Sequence, residues 1–593
     1  MGLCRGGPLQ PSELESVSHQ EIILKNLEQQ RKVFESCLDE YRMPIEVLRK
    51  RDADFSESRR IPALSRSLLR SLLFSIITRS PQVESTQVSS EKYNDVTMIA
   101  TLGKLEDLNE QLRTLLDPST LELLLEKDAE TSLELLQLSV TLEDITDLIR
   151  AVQPGRHTDD STDAGVIDLL AKVSTNTSNS NRQGLGTRGA IAQFARFKAL
   201  NMMVETYSGN LWEAVKQAAA DPPVYDLVSY AWGSDKHSTI DLSSKDVSLF
   251  DDELDLDDVE LAPVTGFCRT GRGKNKQKRL VWIEWKNYDE YDADDGPTPR
   301  IVARIRKLAL LLNDPEKPKE FRVPHCLGYF IYDEANKDIG PCPIGLVFAV
   351  PSNVPANGSF LPISLLEVMA LRSEVAVLVR LELALKVASC VLYFHSVNWL
   401  HKGLRGRSIM FFPDSSGTMN LVEPIVSGFD YSRPAKDDAM TERPMDNTSE
   451  DIYRHPDVQA TGNRDDGSGR RGGFRKVYDI YSLGVVLVEI GCWQDISAIL
   501  NIDLPTARPK HTWVVRDRLL REENVSERVS NQLSSEYWDV CKACIQGATA
   551  FGLETDSDEN RPIVAATLQA GFYRKVVRRL KYLVKGSSNT LRT

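Results

Sequence analysis

Asp479-Ile480-Tyr481-Ser482-Leu483-Gly484-Val485-Val486 is the most specific stretch of this 593-residue chain. From it the apolar pattern stays mostly helical to Val584. Before it, Leu280–Lys286, Phe321–Tyr332 and Gly345–Val350 alternate in the manner of strands. Several strands followed by many helices predict an α+β fold with two lobes of different class. The smaller, mainly β lobe is expected over about residues 225–352 and the larger α lobe over about 353–580.

Upstream the periodicity is helical. Residues 12–50 carry Ile22, Ile23, Leu27, Val33, Phe34 and Leu38 at threes and fours. Further helices are expected over 61–79, 101–116 and 119–152, giving an amino-terminal helical bundle over 1–152. The 61–79 helix is cationic through Arg66, Arg70 and Arg79. It reads either as a bundle core helix or as a surface for anionic membrane. Residues 153–189 are rich in Ser, Thr, Asn, Asp and Gly, which is linker chemistry. A brace helix is expected over 190–224.

A formal charge of −13 argues against a nucleic-acid-binding face. Nine scattered cysteines make no disulfide framework, which favours a reducing, cytoplasmic compartment. Cys541 and Cys544 form a C-x-x-C inside a helical pattern, and a helix burying two small residues explains them better than a metal. No apolar run reaches the length of a membrane span, so any membrane association is expected to be peripheral. Gly6 departs from the Ser or Thr preferred there after an acylated Gly2. Residues 241–260 hold nine acids and 269–279 six bases, both read as solvated strands and loops.

A series of ordered motifs resembles a protein kinase. Val281-Trp282-Ile283-Glu284-Trp285-Lys286 looks like the strand whose Lys grips nucleotide phosphates. Leu381 to His395 looks like the helix before the catalytic loop, and His401-Lys402-Gly403-Leu404-Arg405-Gly406-Arg407-Ser408-Ile409 like that loop. Ser427-Gly428-Phe429-Asp430 falls where the metal-binding Asp-Phe-Gly would be, and Tyr453 to Asp457 resembles the end of the activation segment. The stretch from Asp479 resembles the buried helix behind it. Arg561 sits where kinases pair an Arg with the acidic end of the activation segment, which makes Asp457 its expected partner. The resemblance implies a bilobal kinase-like domain over about 225–580, with Asp457, Arg561 and Asp479 as structural residues.

The chemistry of that family is depleted. Phosphoryl transfer needs a carboxylate to orient the hydroxyl and ligands for metal. Gly403 stands where the first carboxylate should be, Ser408 where the Asn should be, and Gly428 where the metal-binding Asp should be. Asp430, two residues on, is displaced by roughly 6–7 Å in an extended chain. Gly266, Gly271 and Gly273 do not make a phosphate-cradling loop. The helix expected over Pro299–Asn313 has Arg300, Arg304, Arg306 and Lys307 but no acid to pair with Lys286. Lys286 is therefore either a solvated strand residue or a nucleotide contact, and His401 a brace for the loop. No catalytic residue is assigned. No cofactor is required, ATP stays open as a ligand, and magnesium is disfavoured.

A helical bundle, a brace and a degenerate kinase resemble the fungal proteins with an amino-terminal HeLo or HeLo-like domain. The animal mixed-lineage-kinase-domain-like pseudokinase shares that plan. The resemblance implies a regulator or effector in heterokaryon incompatibility or cell death, acting through protein partners and conformational release of the bundle. Residues 1–18, polar where HeLo-type bundles begin with an apolar helix, depart from the family. Two other classes stand beside it: an atypical ATP-dependent kinase using Asp430 as metal ligand, and a passive scaffold. Thr441, Thr448, Ser449 and Tyr453 are candidate phosphate acceptors near Arg443 or Arg454, each otherwise an ordinary surface hydroxyl. The Gly/Arg-rich stretch 461–476 reads as a flexible insertion.

Overall fold

The computed structural model describes residues 129–140, 144–145, 148, 188–206, 240–250, 264–270, 277–286, 299–314, 317–332, 343–351, 354, 362–371, 374–414, 418–429, 432–434, 447–459 and 474–590. The helices expected over 12–50, 61–79 and 101–116, nearly all of the 153–189 linker, Gly271, Gly273, Asp430, Thr441, Arg443 and residues 461–473 lie outside them.

The fold is mixed α+β. Its strands β1 (Val247–Leu249), β2 (Val264–Thr270), β3 (Gln277–Lys286), β4 (Cys326–Ile331) and β5 (Ile344–Ala349) form one antiparallel sheet in the order β1-β2-β3-β5-β4. Strand β3 sits at its centre and is apolar on both sides. Trp282 faces the main core with Phe348, while Val281 and Ile283 join Cys268, Phe330 and Val347 in a second cluster on the other face. Its register against β5 pairs Trp282 with Phe348, Glu284 with Leu346 and Lys286 with Ile344.

Helix α1 (Arg188–Thr206) precedes the sheet, and α2 (Pro299–Asn313) packs against β4. Proline opens α2 at a position where its missing N–H costs nothing, and Asn313 Nδ2 donates to the Cys326 carbonyl at 2.7 Å. After β5 the chain is mainly helical: α3 (Leu365–Leu371), α4 (Val377–Ser396), α5 (Lys476–Cys492), α6 (Ser535–Gln546), α7 (Pro562–Phe572) and α8 (Arg578–Thr590), with shorter helices between. All residues of α5 are buried. Gly484 lets α6 approach it, since a Cβ there would meet Cys544 Cβ at 2.9 Å. Cys541 and Cys544 are buried core residues of α6, and burial pushes both thiols up.

Helix α1 is described as far as Thr206 and packs against α2 and the residues around Phe321 and Trp399. Phe194 and Phe197 meet Phe321 at ring distances of 5.5 and 4.8 Å, and Phe197 stacks on Trp399 at 5.6 Å. Arg196 makes a two-pronged bond to Asp314, at 2.7 and 3.0 Å, with both side chains buried. Residues 129–138 form a helix, which is not the continuous 119–152 helix expected. It stops at Ser139 and Val140, where Ser139 Oγ donates to the Leu135 carbonyl and Asp144 accepts from Val140 N–H. This segment also belongs to the larger part. Gln137 Nε2 donates to the His395 carbonyl at 2.6 Å, and Lys198 Nζ donates to the Leu136 carbonyl. Among the described residues no helix is long and apolar enough to cross a membrane.

Candidate functional site: the degenerate cleft

A two-residue strand, Trp399–Leu400, delivers the loop 401–408 from the end of α4. Asp479, in the first turn of α5, holds it there. Its Oδ2 accepts from His401 N–H at 2.8 Å and lies 3.3 Å from His395 Nε2, and its Oδ1 accepts from Lys402 N–H at 2.8 Å. A carboxylate with three donors and 1% exposure is a fixed structural anchor. It also holds Lys402 in a left-handed conformation, φ 66°, which side chains other than glycine rarely adopt.

His401 is 1% exposed and its Nδ1 accepts from Gly403 N–H at 3.3 Å. Its ring packs on Phe429 at 4.9 Å. Burial pushes the imidazole down to about 4, Asp479 notwithstanding, so it is neutral at pH 7. Gly403 gives no acid–base group at this place. Ser408 spends its hydroxyl locally, donating to the Arg405 carbonyl at 2.8 Å and accepting from Arg405 N–H at 2.9 Å.

Gly428 stands in the left-handed region at φ 80°. A Cβ there would lie 3.0 Å from Ser408 Cβ, so this segment and the 401–408 loop approach closely at the glycine. The carboxylate beside it comes from β3. Glu284 Oε2 accepts from Gly428 N–H at 3.0 Å and lies 3.4 Å from Phe429 N. Glu284, not Lys286, is thus the strand residue that reaches the 427–429 segment. Lys286 lies at the end of the strand and is 3% exposed, which corrects the reading of it as a solvated residue. Its ammonium helps to hold the Glu450 carboxyl below the usual range.

Glu450 belongs to the short helix Thr448–Asp451, just before the motif at Tyr453. Burial works against its charge, but Arg405 and Arg454 outweigh that, and Glu450 pairs with both. Arg454 also pairs with Asp451 at 2.9 Å. Arg405 is therefore tied to the segment at 448–454. Gly403 and Gly428 bring no side chain to this place, and the hydroxyl of Ser408 is engaged by the backbone of Arg405.

Two further expectations are corrected. Asp457 does not pair with Arg561. It takes a hydrogen bond from Tyr478 Oη at 3.3 Å and lies 3.6 Å from His455 Nδ1, whereas Arg561 is exposed before α7. The acid engaged near the start of α5 is instead Glu559, which sits 3.2 Å from Arg475 and accepts from Lys476 N–H at 2.6 Å. Tyr453 is not a surface hydroxyl. It is 4% exposed and donates to Glu489 Oε1 at 2.5 Å. Ser449, by contrast, lines an open recess with Arg405, Arg407, Glu450 and Asp495.

Glu284, Glu450 and Glu489 had no place in the motif-based reading. Two of them carried a signal in the chain: Glu284 and Glu489 are lone acids inside apolar runs, where burial forces a carboxylate to find donors or a proton. Residues 359–586 match a domain of unknown function, DUF7580. No curated protein matches the chain.

Proposed function

We propose that residues from about 225 to 580 are a protein-kinase-like domain in which phosphoryl transfer has been replaced by fixed internal contacts, a pseudokinase that signals by binding and conformation. The observation that carries this is the pairing of Glu284 with the backbone of Gly428. A glycine at φ 80°, packed against Ser408, holds the place of the metal-binding Asp, and a carboxylate from β3 occupies its donors. The ordered motifs and the Asp479 anchor support the kinase-like ancestry; the close approach at Gly428 supports loss of the chemistry.

The reading extends to the amino terminus. A helical bundle before a degenerate kinase resembles the fungal HeLo-type effectors, and α1 with residues 129–140 supplies the physical link by which such a bundle would be held. The protein then acts with protein partners, in the cytoplasm or at a membrane surface, as a regulator or effector in cell-death or incompatibility signalling.

Melting of the purified chain with ATP, with and without magnesium, tests the first part. Whatever binds only the folded state raises the midpoint by mass action. No rise at millimolar nucleotide is expected. A magnesium-dependent rise that disappears in Lys286→Ala would overturn the reading in favour of an atypical kinase. For the second part, deletion has to stop at residue 128, because residues 129–140 are bonded to the larger lobe. An unchanged set of partners after that deletion would refute a regulatory bundle.

A further inference from the structure

From Arg561 to Thr593 the chain has eight cations and no acid, so its −13 divides into +8 here and −21 over the residues before. A π-helical turn over Tyr573–Val577 feeds α8 and sets the orientation of the segment. One face is buried: Tyr573, Val576, Val577 and Leu580 belong to the core, against α4 and α6. The opposite face presents Lys575, Arg578, Arg579 and Lys581, spaced by threes and fours around the same side, with Tyr582 among them at 48% exposure. Among the described residues the acids that reach this face sit at its margin: Glu130 is 3.0 Å from Arg574, and Asp539 is 3.8 Å from Arg579 at an exposed site.

We propose that this face is a docking surface for a membrane carrying anionic lipid. The complementarity is electrostatic. A cluster of four or more cations on an amphipathic helix matches an anionic leaflet, each contributing about 1 kcal/mol near the surface, a factor of about five in affinity. Because the apolar face is already spent in the core, the helix rests on headgroups and does not insert. The proposal holds whether or not the cleft is catalytic.

Co-sedimentation of the full chain with phosphatidylcholine vesicles, with and without phosphatidylserine, is the test. Binding is expected only with phosphatidylserine, and is expected to be lost between about 0.1 and 1 M salt as the screening length falls from about 10 to 3 Å. Joint substitution of Lys575→Gln, Arg579→Gln and Lys581→Gln should weaken it about 100-fold while leaving the melting temperature unchanged. Equal binding to the two vesicle types, absence of binding, or binding that survives the triple substitution overturns the proposal. Retention of the wild type on double-stranded RNA or an acidic peptide, lost in the triple variant and without vesicle binding, would assign the face to that partner instead.

Discussion

Replacing Arg196 by Met removes a cation from a site where both partners are buried, leaving the Asp314 carboxylate inside the protein. Breaking a buried pair in this way costs about 3–5 kcal/mol. The expected loss at pH 7 lies in that range. Equilibrium urea unfolding measures it, with tryptophan emission as the probe, since Phe197 stacks on Trp399. Adding Asp314→Leu should restore most of the loss at pH 7, because two apolar groups no longer strand a charge. A loss below about 1 kcal/mol would refute the argument that α1 is a fixed part of the domain.

On the proposed pseudokinase reading, Gly428→Asp should destabilise the protein by about 1–3 kcal/mol and yield no phosphate transfer, because a side chain is strained at φ 80° and faces Glu284; thermal melts and a transfer assay check both. Burial and Asp495 raise the Glu489 carboxyl well above its ordinary 4.5, so the folded state holds a proton that the unfolded chain releases, and stability falls as pH rises above 4.5. Glu489→Gln keeps the acceptor for Tyr453 and should raise the midpoint more at pH 8 than at pH 5; equal gains would count against a protonated Glu489. His401 has the opposite sign: its folded value near 4 lies below the unfolded 6.5, so its contribution is intact above 6.5 and is lost as pH falls through 4. That loss approaches about 3 kcal/mol, and His401→Gln should flatten the acid limb of a stability–pH curve.

Sequence periodicity found the elements whose stability is local. Pro299–Asn313 forms with those limits because proline and the apolar repeat fix both its start and its face. The central strands lie within a few residues of their expected places, since alternation is read directly from the chain. The Asp479 stretch was legible in another way, as a motif resembling a family pattern, and the bonds its carboxylate makes were not readable from the chain. What escaped was set by partners distant in sequence. Arg561 and Asp457 were matched by motif position, yet the loops carry them to different neighbours. Glu284 became meaningful only when folding brought it against a segment 144 residues away. Tyr453 looks like any loop hydroxyl until α5 supplies Glu489 beneath it.

The carbonyl of His395 receives hydrogen bonds from both Gln137 and Lys476, while its ring faces the carboxylate that anchors residues 401 and 402. This cell is no portable cassette. A gene fusion carrying only residues 359–586 into another protein would arrive without Gln137, without the rings of Phe194 and Phe197 over Tyr393 and Trp399, and without the sheet that provides Glu284. Recombination can therefore move the function intact only by transferring the upstream helix and strands with it.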